Sequence, residues 1–475
     1  MAVRPYLVNG TWRTGSGTFE VHSPFDGSVV AELGVPTEAD VEEAAVAAVA
    51  TFRESRTLPV WKRAEALDHI SRRLAETVDE NAELIAREGG KPLKWARVEA
   101  TRAVSTFRWA SEVLRHGDEE VMRLDTEASL GSRIGIIRRF PFGAVLGITP
   151  FNFPLNLVAH KVAPALAVGA PIVIKPARAT PIGALRLAEL FAETDLPAGM
   201  LQVLPVSSSV ADGMARDARY RKISFTGSVD IGWYLKGLDP RKRVTLELGG
   251  NAGVIVHGDA DLDLAARRVA FGGYYQAGQS CISVQRVLVQ EQVYEDFAAR
   301  LVKEVENLKV GDPLDPTVDV GPVIDRGNVE RIEAWVREAV AEGAQVLTGG
   351  TADGPFFRPT LLSRVDPEMK VCREEVFGPV VTISPYATFE EALERVSDSR
   401  FGLQAGVFTS DVNRAFQAHR ELEVGGVILN DVSAFRADQM PYGGSKDSGF
   451  GREGLRFAME EMTEPRIMVF SHVPL

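Results

Sequence analysis

Residues 143–175, GAVLGITPFNFPLNLVAHKVAPALAVGAPIVIK, decide the fold because two short apolar runs flank a helical pattern. The runs cover residues 143–148 and 171–175, and apolar side chains recur on one helical face of residues 155–168. This order of strand, helix and strand is typical of parallel strands covered by helices. The stretch therefore predicts an α/β fold.

The same alternation continues to residue 247 and predicts a doubly wound, Rossmann-like sheet. Its further predicted elements are strands at 202–204, 222–225 and 243–247 and a helix at 183–193. In such sheets the ligand lies at the carboxyl ends of the strands. Three loops are therefore expected to meet at one site: residues 149–154, 175–178 and 226–228.

A second alternating region, residues 252–430, predicts another α/β domain. Its predicted strands are residues 253–256, 284–289, 380–384 and 425–429. Residues 37–115 have helical spacing and are expected to pack on the first sheet. Residues 122–139 resemble a hairpin, and 466–470 form a short apolar strand. Because exposed strands usually pair with another strand, these two segments predict a subunit interface.

Length, composition and charge bound the class of protein. A chain of 475 residues exceeds what one hydrophobic core usually supports, so at least two domains are expected. The formal net charge of −12, without a long basic run, disfavours nucleic acid and anionic membranes as partners. No apolar stretch of signal-peptide length precedes Trp12, which predicts a cytoplasmic protein.

Cysteine and histidine usage disfavours disulfides and metal sites. The chain has two cysteines and seven histidines, and neither set has a spacing typical of a metal site. Residues 140–159 carry no charge, but their prolines and asparagines argue against a membrane span. We therefore expect no metal and no membrane partner.

Cys281 follows small residues in GQSC (278–281), which suggests an accessible nucleophile. Glu247 lies upstream and supplies a possible base, so the pair indicates covalent catalysis. The alternative is a buried cysteine near an unrelated acid, since free cysteine is often buried.

Asn152 stands between two prolines in PFNFP (150–154), where a stiff loop could aim its amide at an oxyanion. It could equally cap the helix that follows. Lys175, at a strand end, favours a cofactor hydroxyl or phosphate, although it could be a solvated surface lysine. Gly227 and Ser228 lie where a strand meets a helix, which suits a phosphate. The literal GxGxxG at 449–454 follows no apolar strand and fails as a dinucleotide motif.

Taken in order, the motifs of this chain resemble the aldehyde dehydrogenase superfamily over essentially its whole length. They are PFNFP (150–154), KPA (175–177), FTGS (225–228), ELGGN (247–251), GQSC (278–281), EEVFGP (374–379) and PYGG (441–444). The sequence of residues 278–286 and 430–444 most resembles the lactaldehyde dehydrogenase and nonphosphorylating glyceraldehyde-phosphate dehydrogenase branches of this superfamily.

The resemblance implies a catalytic role for three residues. Cys281 would be the nucleophile, Asn152 would donate to the oxyanion of the thiohemiacetal, and Glu247 would activate the hydrolytic water. An aldehyde would thereby be oxidised through a thioester to a carboxylic acid, with NAD or NADP as cofactor. The implied cofactor-binding residues are Thr149, Pro150, Phe151, Lys175, Arg178, Gly227, Ser228, Leu248, Glu375 and Phe377.

The resemblance and the element pattern together predict three parts. Residues 1–121 and 142–249 would form the dinucleotide-binding domain, and residues 250–445 the catalytic domain that carries the thiol. Residues 122–141 and 446–475 would form a small β oligomerisation arm and the C-terminal tail, which makes a homodimer or homotetramer the expected assembly.

Arg178 departs from the family, which often has an acidic residue three positions after the lysine. Arginine would attract a 2′-phosphate, so NADP is favoured over NAD unless Arg178 points into solvent. Arg102, His160 and Arg436 fall in regions that approach the substrate tunnel by resemblance, and Ser280, just before the nucleophile, is small and leaves room at the carbonyl. These cations would suit a small, anionic aldehyde, although salt bridges with acidic residues explain them equally well.

Two rival functions stay open. A CoA-acylating relative would replace hydrolysis with thiol attack, and Glu247 argues against it because that carboxylate serves the water step. A catalytically idle relative, kept for binding or structure, is disfavoured because it would not need all of Cys281, Asn152 and Glu247.

Overall fold

The computed structural model describes residues 2–117 and 119–472; the remaining residues of the predicted dinucleotide-binding domain and tail, 1, 118 and 473–475, lie outside the described residues. The strands are β1 (Tyr6–Val8), β2 (Thr11–Arg13), β3 (Thr18–His22), β4 (Val29–Gly34), β5 (Glu120–Arg123), β6 (Arg133–Pro141), β7 (Ala144–Ile148), β8 (Ile172–Lys175), β9 (Leu201–Val203), β10 (Tyr220–Thr226), β11 (Arg243–Glu247), β12 (Gly253–Val256), β13 (Arg286–Gln290), β14 (Gln345–Thr348), β15 (Ala352–Asp353), β16 (Phe356–Phe357), β17 (Thr360–Ser363), β18 (Val380–Tyr386), β19 (Phe401–Gly402), β20 (Gln404–Phe408), β21 (Gly426–Leu429), β22 (Ser445–Lys446), β23 (Gly449–Phe450) and β24 (Thr463–Ser471). The helices are α1 (Glu38–Ser55), α2 (Val60–Glu76), α3 (Val78–Gly89), α4 (Leu93–His116), α5 (Asn156–Val168), α6 (Ile182–Ala192), α7 (Ser208–Arg216), α8 (Val229–Gly237), α9 (Leu262–Tyr274), α10 (Tyr294–Glu306), α11 (Arg326–Ala341), α12 (Lys370–Arg373), α13 (Phe389–Ser397), α14 (Val412–Glu421) and α15 (Leu455–Glu461).

The first large sheet has the order β2-β1-β9-β8-β7-β10-β11-β23. The five strands from β9 to β11 are parallel and correspond to the five predicted strands, which confirms the doubly wound α/β prediction. The two strands nearest the N-terminus and β23 add antiparallel edges. These edge strands have only two or three residues each, too few for a period to be recognised in the sequence.

Chain order reverses in this sheet between β7 and β10, and a crevice for a ligand opens at such a switch point. The register aligns the strand ends across it, because Ile148 pairs with both Lys175 and Phe225, and Thr226 pairs with Glu247. The loops after these strands therefore begin at one edge of the sheet, as the sequence predicted.

Helices cover this sheet, and local sequence sets their ends. A capping box between Thr37 and Asp40 starts α1. Pro59 precedes α2, and Gly90, with φ of 67°, ends α3 in the left-handed region that glycine adopts at low cost. The apolar face of α5 is buried with the sheet in one continuous core.

The second large sheet has the order β14-β17-β18-β13-β12-β20-β21, and all but β14 run parallel. The four predicted strands of this region are present within two residues of their expected bounds. The sequence pattern missed β14, β17 and β20. The sequence of β20, QAGVF, is buried throughout, yet its glutamine, alanine and glycine obscure the apolar run.

A third sheet, β24-β6-β5, forms the predicted arm. Its hairpin and the strand near the C-terminus were both expected, and apolar side chains such as Val121 and Ile467 remain exposed on it. Pairing with a second copy and the three-part domain division stay predictions. Within residues 2–117 and 119–472, no helix is long and apolar enough to cross a membrane.

Candidate active site

Cys281 lies just after a tight turn that leads out of α9. The turn, Tyr275–Gly278, has left-handed φ values at Gln276 (54°), Ala277 (53°) and Gly278 (67°). A β-carbon at Gly278 would lie 2.1 Å from a backbone oxygen of the facing loop, so only glycine fits there. The turn leaves Cys281 half-buried in the wall of a cavity of about 520 Å³. The thiol is thus accessible from this cavity.

The Cys281 sulfur lies 2.9 Å from the hydroxyl oxygen of Tyr442. Burial raises the pKa of the Cys281 thiol to about 12, although the hydrogen bond with Tyr442 opposes this rise. Glu375 and Glu247 raise the pKa further, whereas Arg436 lowers it. Three charged groups therefore act on the sulfur, and Arg436 among them also lines the cavity.

Asn152 is tied to the loop that carries Cys281. Its side-chain amide donates to the backbone oxygen of Gln279 at 3.0 Å, and the Gln276 side chain donates to the backbone oxygen of Asn152. An amide has two N–H donors, so one is left for another acceptor. Helix α5 is capped instead by the Glu99 carboxylate, which excludes the capping alternative for Asn152.

Glu247 ends β11 and is buried. Neither of its carboxylate oxygens has a hydrogen-bond partner among the described residues. Burial, followed by the nearby Glu453, raises its pKa well above the ordinary value. A β-carbon at Gly443 would lie 3.0 Å from Glu247 Oε1, which places the carboxylate beside the loop that carries Tyr442. An uncommitted, buried carboxylate of this kind can accept a proton.

Lys175 ends β8, and Arg178 lies close to it in the loop that follows. Lys175 is buried, and burial followed by the charge of Arg178 lowers its pKa. Arg178 is exposed, with its guanidinium 4.1 Å from the centre of the Phe19 ring. The Thr149 backbone N–H donates to the Lys175 oxygen at 3.1 Å. Two cations and the loop that begins at Thr149 thus share one edge of the sheet.

Gly227 and Ser228 join β10 to α8. Ser228 precedes the helix, and its side chain makes no capping hydrogen bond, so the first backbone N–H groups lack that partner. Leu248 packs against Gly232 of the same helix, where a β-carbon would lie 2.4 Å from Leu248 Cδ2. This close approach sets the helix against the end of β11.

Glu375 and Phe377 reach the site from the loop between α12 and β18, a strand of the second sheet. Glu375 is half-buried and accepts from the backbone N–H of Gly250 at 3.1 Å, and desolvation of its carboxyl raises its pKa to about 7. Phe377 meets Phe151, which follows Pro150, edge to face with ring centres 5.8 Å apart. The loop before β18 therefore contacts the loops that follow β7 and β11 through these residues.

Arg102 and His160 both bind the buried Asp438. Arg102 donates from Nε and Nη2 at 3.2 and 2.8 Å, and His160 Nε2 lies 3.0 Å from the same carboxylate oxygen. Burial, followed by the charge of Arg436, lowers the pKa of His160. Arg102 lines the cavity, whereas His160 is not among its lining residues.

Arg436 and Ser280 line the same cavity as Cys281. Arg436 donates to Glu453 at 3.1 Å, and its guanidinium lies 3.7 Å from the centre of the Tyr442 ring. The Ser280 hydroxyl accepts from Tyr275 at 2.8 Å. Arg102 and Arg436 therefore make the salt bridges expected as an alternative, and His160 makes a hydrogen bond to Asp438; Arg102 and Arg436 still face the cavity.

Comparison with known proteins identifies the family. The sequence model of the aldehyde dehydrogenase family matches residues 12–468. The chain belongs to the aldehyde dehydrogenase family. A curated relative, the 3-sulfolactaldehyde dehydrogenase of Priestia aryabhattai, is 43% identical over 465 residues, which cover 98% of this chain and 97% of the relative.

Solved structures agree with this assignment. The crystal structure of aldehyde dehydrogenase 21 from Physcomitrella patens, in complex with the reaction product succinate, has a TM-score of 0.97 and 41% identity, covering 99% of each chain. Glyceraldehyde-3-phosphate dehydrogenase GapN from Methanocaldococcus jannaschii, complexed with NADP, has a TM-score of 0.92 and 37% identity, covering 95% of this chain and 99% of that chain. This aldehyde dehydrogenase is thus an NAD(P)-dependent oxidoreductase, as its motifs predicted.

The residues of this aldehyde dehydrogenase fit such a cofactor. The uncapped start of α8 and the paired cations Lys175 and Arg178 supply donors and positive charge for phosphates. A β-carbon at Gly249 would lie 2.1 Å from Glu375 Oε2, so the absence of a side chain lets this carboxylate reach the edge of the first sheet. Within the part of the chain that the structure describes, no group of three His, Cys, Asp or Glu side chains is placed to hold a metal ion.

Sequence reasoning missed Tyr442, Asp438 and Gln279. Tyr442 belongs to the quoted PYGG motif (441–444), which could have nominated it, but the tyrosine received no role. Asp438 and Gln279 had no local signal, because their importance lies in contacts with residues far along the chain.

Proposed function

We propose that the enzyme oxidises a small, anionic aldehyde to a carboxylic acid through a covalent intermediate on Cys281. The observation that carries this proposal is the placement of the Cys281 thiol in a cavity wall, with the Asn152 amide tied to its loop. Glu247 supports it, since this carboxylate has no hydrogen-bond partner among the described residues.

Attack of the Cys281 thiolate on the aldehyde carbon places negative charge on the carbonyl oxygen. The free N–H of Asn152 can donate to this oxygen, and a neutral amide stabilises the charge without giving up its proton. NAD(P)+, when bound, supplies the acceptor for the hydride. Asn152 acts without reorganisation, since its loop is already fixed by Gln276 and Gln279.

Glu247 acts as the base for hydrolysis of the resulting thioester. It takes a proton from water as the water attacks the acyl carbon, and Cys281 leaves as a thiolate. The unpaired carboxylate favours this route over transfer of the acyl group to CoA, which would not need the base. Retention of Cys281, Asn152 and Glu247 together argues against an idle relative.

The anionic substrate is supported by Arg102 and by the relatives. Both Nε and Nη2 of Arg102 are bound to Asp438, and among the described residues no acceptor binds its Nη1. One relative is named for sulfolactaldehyde and one solved structure holds succinate, and both compounds are anionic. We infer that Arg102 offers its remaining donors to the anionic end of the substrate.

Arg102→Gln should lower kcat/KM about tenfold to a hundredfold for succinic semialdehyde, because a hydrogen bond to a charged group is lost. For butanal, which has the same chain length without the carboxylate, the change should stay within about threefold. Steady-state kinetics with both aldehydes measures the difference. Arg268→Gln is the matched control, since it removes a second cation from the same cavity, one that also pairs with a carboxylate, Asp431, through Nε and Nη2. Equal losses for the two aldehydes in Arg102→Gln would contradict the proposed contact.

We also propose that NADP is preferred over NAD. Arg178 has no carboxylate partner among the described residues and lies beside Lys175, which suits a 2′-phosphate.

Arg178→Glu should reduce the ratio of kcat/KM for NADP to that for NAD by about tenfold or more, because a carboxylate repels the 2′-phosphate and accepts from a 2′-hydroxyl. Arg178→Gln should give an intermediate ratio. The KM for the aldehyde, measured at saturating cofactor, serves as the control. An unchanged ratio in Arg178→Glu would refute the preference.

A further inference from the structure

The hydroxyl of Tyr442 touches the reacting atom of the proposed mechanism. Its oxygen lies 2.9 Å from the Cys281 sulfur, and it is the only described side chain with a hydrogen bond to that sulfur. Tyr442 is buried and lines the same cavity. The proposed roles of Asn152, Glu247 and Cys281 leave this contact unused.

The backbone of Tyr442 is fixed. It forms an isolated antiparallel bridge with Glu453, with N···O distances of 3.0 and 2.6 Å. The carboxylate of Glu453 accepts from the buried Lys161 at 3.0 Å, and Lys161 also donates to Ser224 and Thr226 of β10. The loop that carries Tyr442 is therefore anchored to the first sheet.

The ring of Tyr442 is fixed as well. The Arg436 guanidinium covers one face at 3.7 Å from the ring centre, and Glu453 holds that guanidinium at 3.1 Å. Although burial opposes ionisation, Lys161 and Arg436 lower the pKa of Glu453 to about 2, so the carboxylate that orients the guanidinium stays charged. A ring held on its face and at its backbone keeps its hydroxyl directed at the sulfur.

The direction of the hydrogen bond depends on the charge of the sulfur. A neutral thiol can donate to the phenol oxygen or accept from it, whereas a thiolate can only accept. Burial, followed by the charge of Cys281, raises the pKa of Tyr442, so the phenol keeps its proton beside the thiolate. A phenol that stays neutral is a stable donor to sulfur.

We propose that Tyr442 is a catalytic residue whose hydroxyl donates a hydrogen bond to the Cys281 thiolate. This inference rests on the proposed role of Cys281 as the nucleophile. The thiolate exists twice in that reaction, once before it attacks the aldehyde and once when it leaves the thioester. Tyr442 stabilises it at both points, and Arg436 and Glu453 are positioning residues that hold the ring.

Tyr442→Phe should slow the alkylation of Cys281 by iodoacetamide about tenfold or more between about pH 7 and pH 10, because alkylation follows the thiolate fraction. The phenylalanine ring still fits under Arg436. Loss of the donor raises the pKa of the thiol, and below that pKa each added unit lowers the thiolate fraction tenfold. A thiolate of higher pKa is more nucleophilic, which offsets only part of the loss.

The folded enzyme is alkylated, and mass spectrometry of its peptides then measures the extent of alkylation at Cys281 and at Cys372 separately. The buried Cys372 serves as an internal reference. Tyr275→Phe is the matched control: it removes a hydroxyl from the same cavity, one that donates to Ser280 and not to the sulfur. Its alkylation rates at Cys281 should stay within about twofold of the wild type. Circular dichroism checks the fold of each variant.

Unchanged or faster alkylation of Cys281 in a folded Tyr442→Phe variant would overturn the proposal. Replacement of Tyr442 by 3-fluorotyrosine gives a second measurement in which the shape of the side chain is retained. The more acidic phenol should speed the alkylation of Cys281, and a slower rate would also overturn the proposal. Because alkylation needs no turnover, this experiment is independent of the nucleophile test. Loss of that nucleophile role would appear as activity retained in Cys281→Ala, whatever the alkylation rates are.

Discussion

Cys281→Ala should lower the aldehyde-dependent reduction of NAD(P)+ by at least about a thousandfold, because the proposed covalent intermediate forms on the sulfur that this change removes. The alanine fits the turn after Gly278, since it only removes the sulfur from a cavity wall. The fold and the affinity for the cofactor should therefore persist. Absorbance of the reduced cofactor measures the rate, and fluorescence quenching measures cofactor binding.

Cys372→Ala is the matched control for this substitution. Cys372 is packed in the core of the second sheet and lines a different cavity. The same deletion of a sulfur there should cost stability and leave the chemistry in place. Normal turnover in purified Cys281→Ala would show that the thiol is not the nucleophile.

Glu247→Gln should slow steady-state turnover about a hundredfold or more while sparing the first turnover, since the water step loses its base. Neither carboxylate oxygen has a hydrogen-bond partner among the described residues, so glutamine breaks no bond in the resting enzyme. The expected signature is a burst of reduced cofactor close to one equivalent per site, with an acyl adduct on the Cys281 peptide. Stopped-flow absorbance detects the burst of reduced cofactor, and mass spectrometry of quenched samples detects the acyl adduct.

The pH dependence of hydrolysis adds a second measurement of the role of Glu247. Burial and Glu453 raise the pKa of Glu247, and a base works only in its deprotonated form. Deacylation by the wild type should therefore rise with pH through this raised pKa, well above the range of an ordinary glutamate. In Glu247→Gln this rise should disappear.

Glu375→Gln provides the matched control for the burst. Glu375 is also a carboxylate with a raised pKa, but it is half-buried and binds the backbone N–H of Gly250. Its loss should raise the KM for the cofactor and give no burst. A burst in both variants, or unchanged steady-state turnover in Glu247→Gln, would exclude Glu247 as the base for hydrolysis.

The sequence predicted the parallel cores of both sheets more fully than their edges. Strands such as residues 143–148 and 253–256 are buried on both faces, so their apolar runs stand out locally. The short edge strands and β20 carry too few apolar residues for such a pattern. They become strands because a neighbouring strand offers hydrogen bonds, which is a tertiary effect.

For the candidate site, the sequence nominated individual residues but could not predict which residues they contact. From the sequence, Asn152 could equally be a helix cap or an oxyanion donor. In the structure the Glu99 carboxylate caps α5, which excludes the capping role for Asn152. Arg102 and His160 were nominated separately, yet both bind Asp438, which was not nominated at all.

The sequence by itself determined the α/β class and the family, and it nominated the thiol, amide and carboxylate of the proposed mechanism, because each depends on local residue order and short motifs. Only the tertiary structure decided the environment of those groups: the Tyr442 hydroxyl beside Cys281, the unpaired carboxylate of Glu247 and the shared Asp438. Hydrogen bonds and desolvation act over a few ångströms in space, and the chain brings these partners together from positions more than a hundred residues apart.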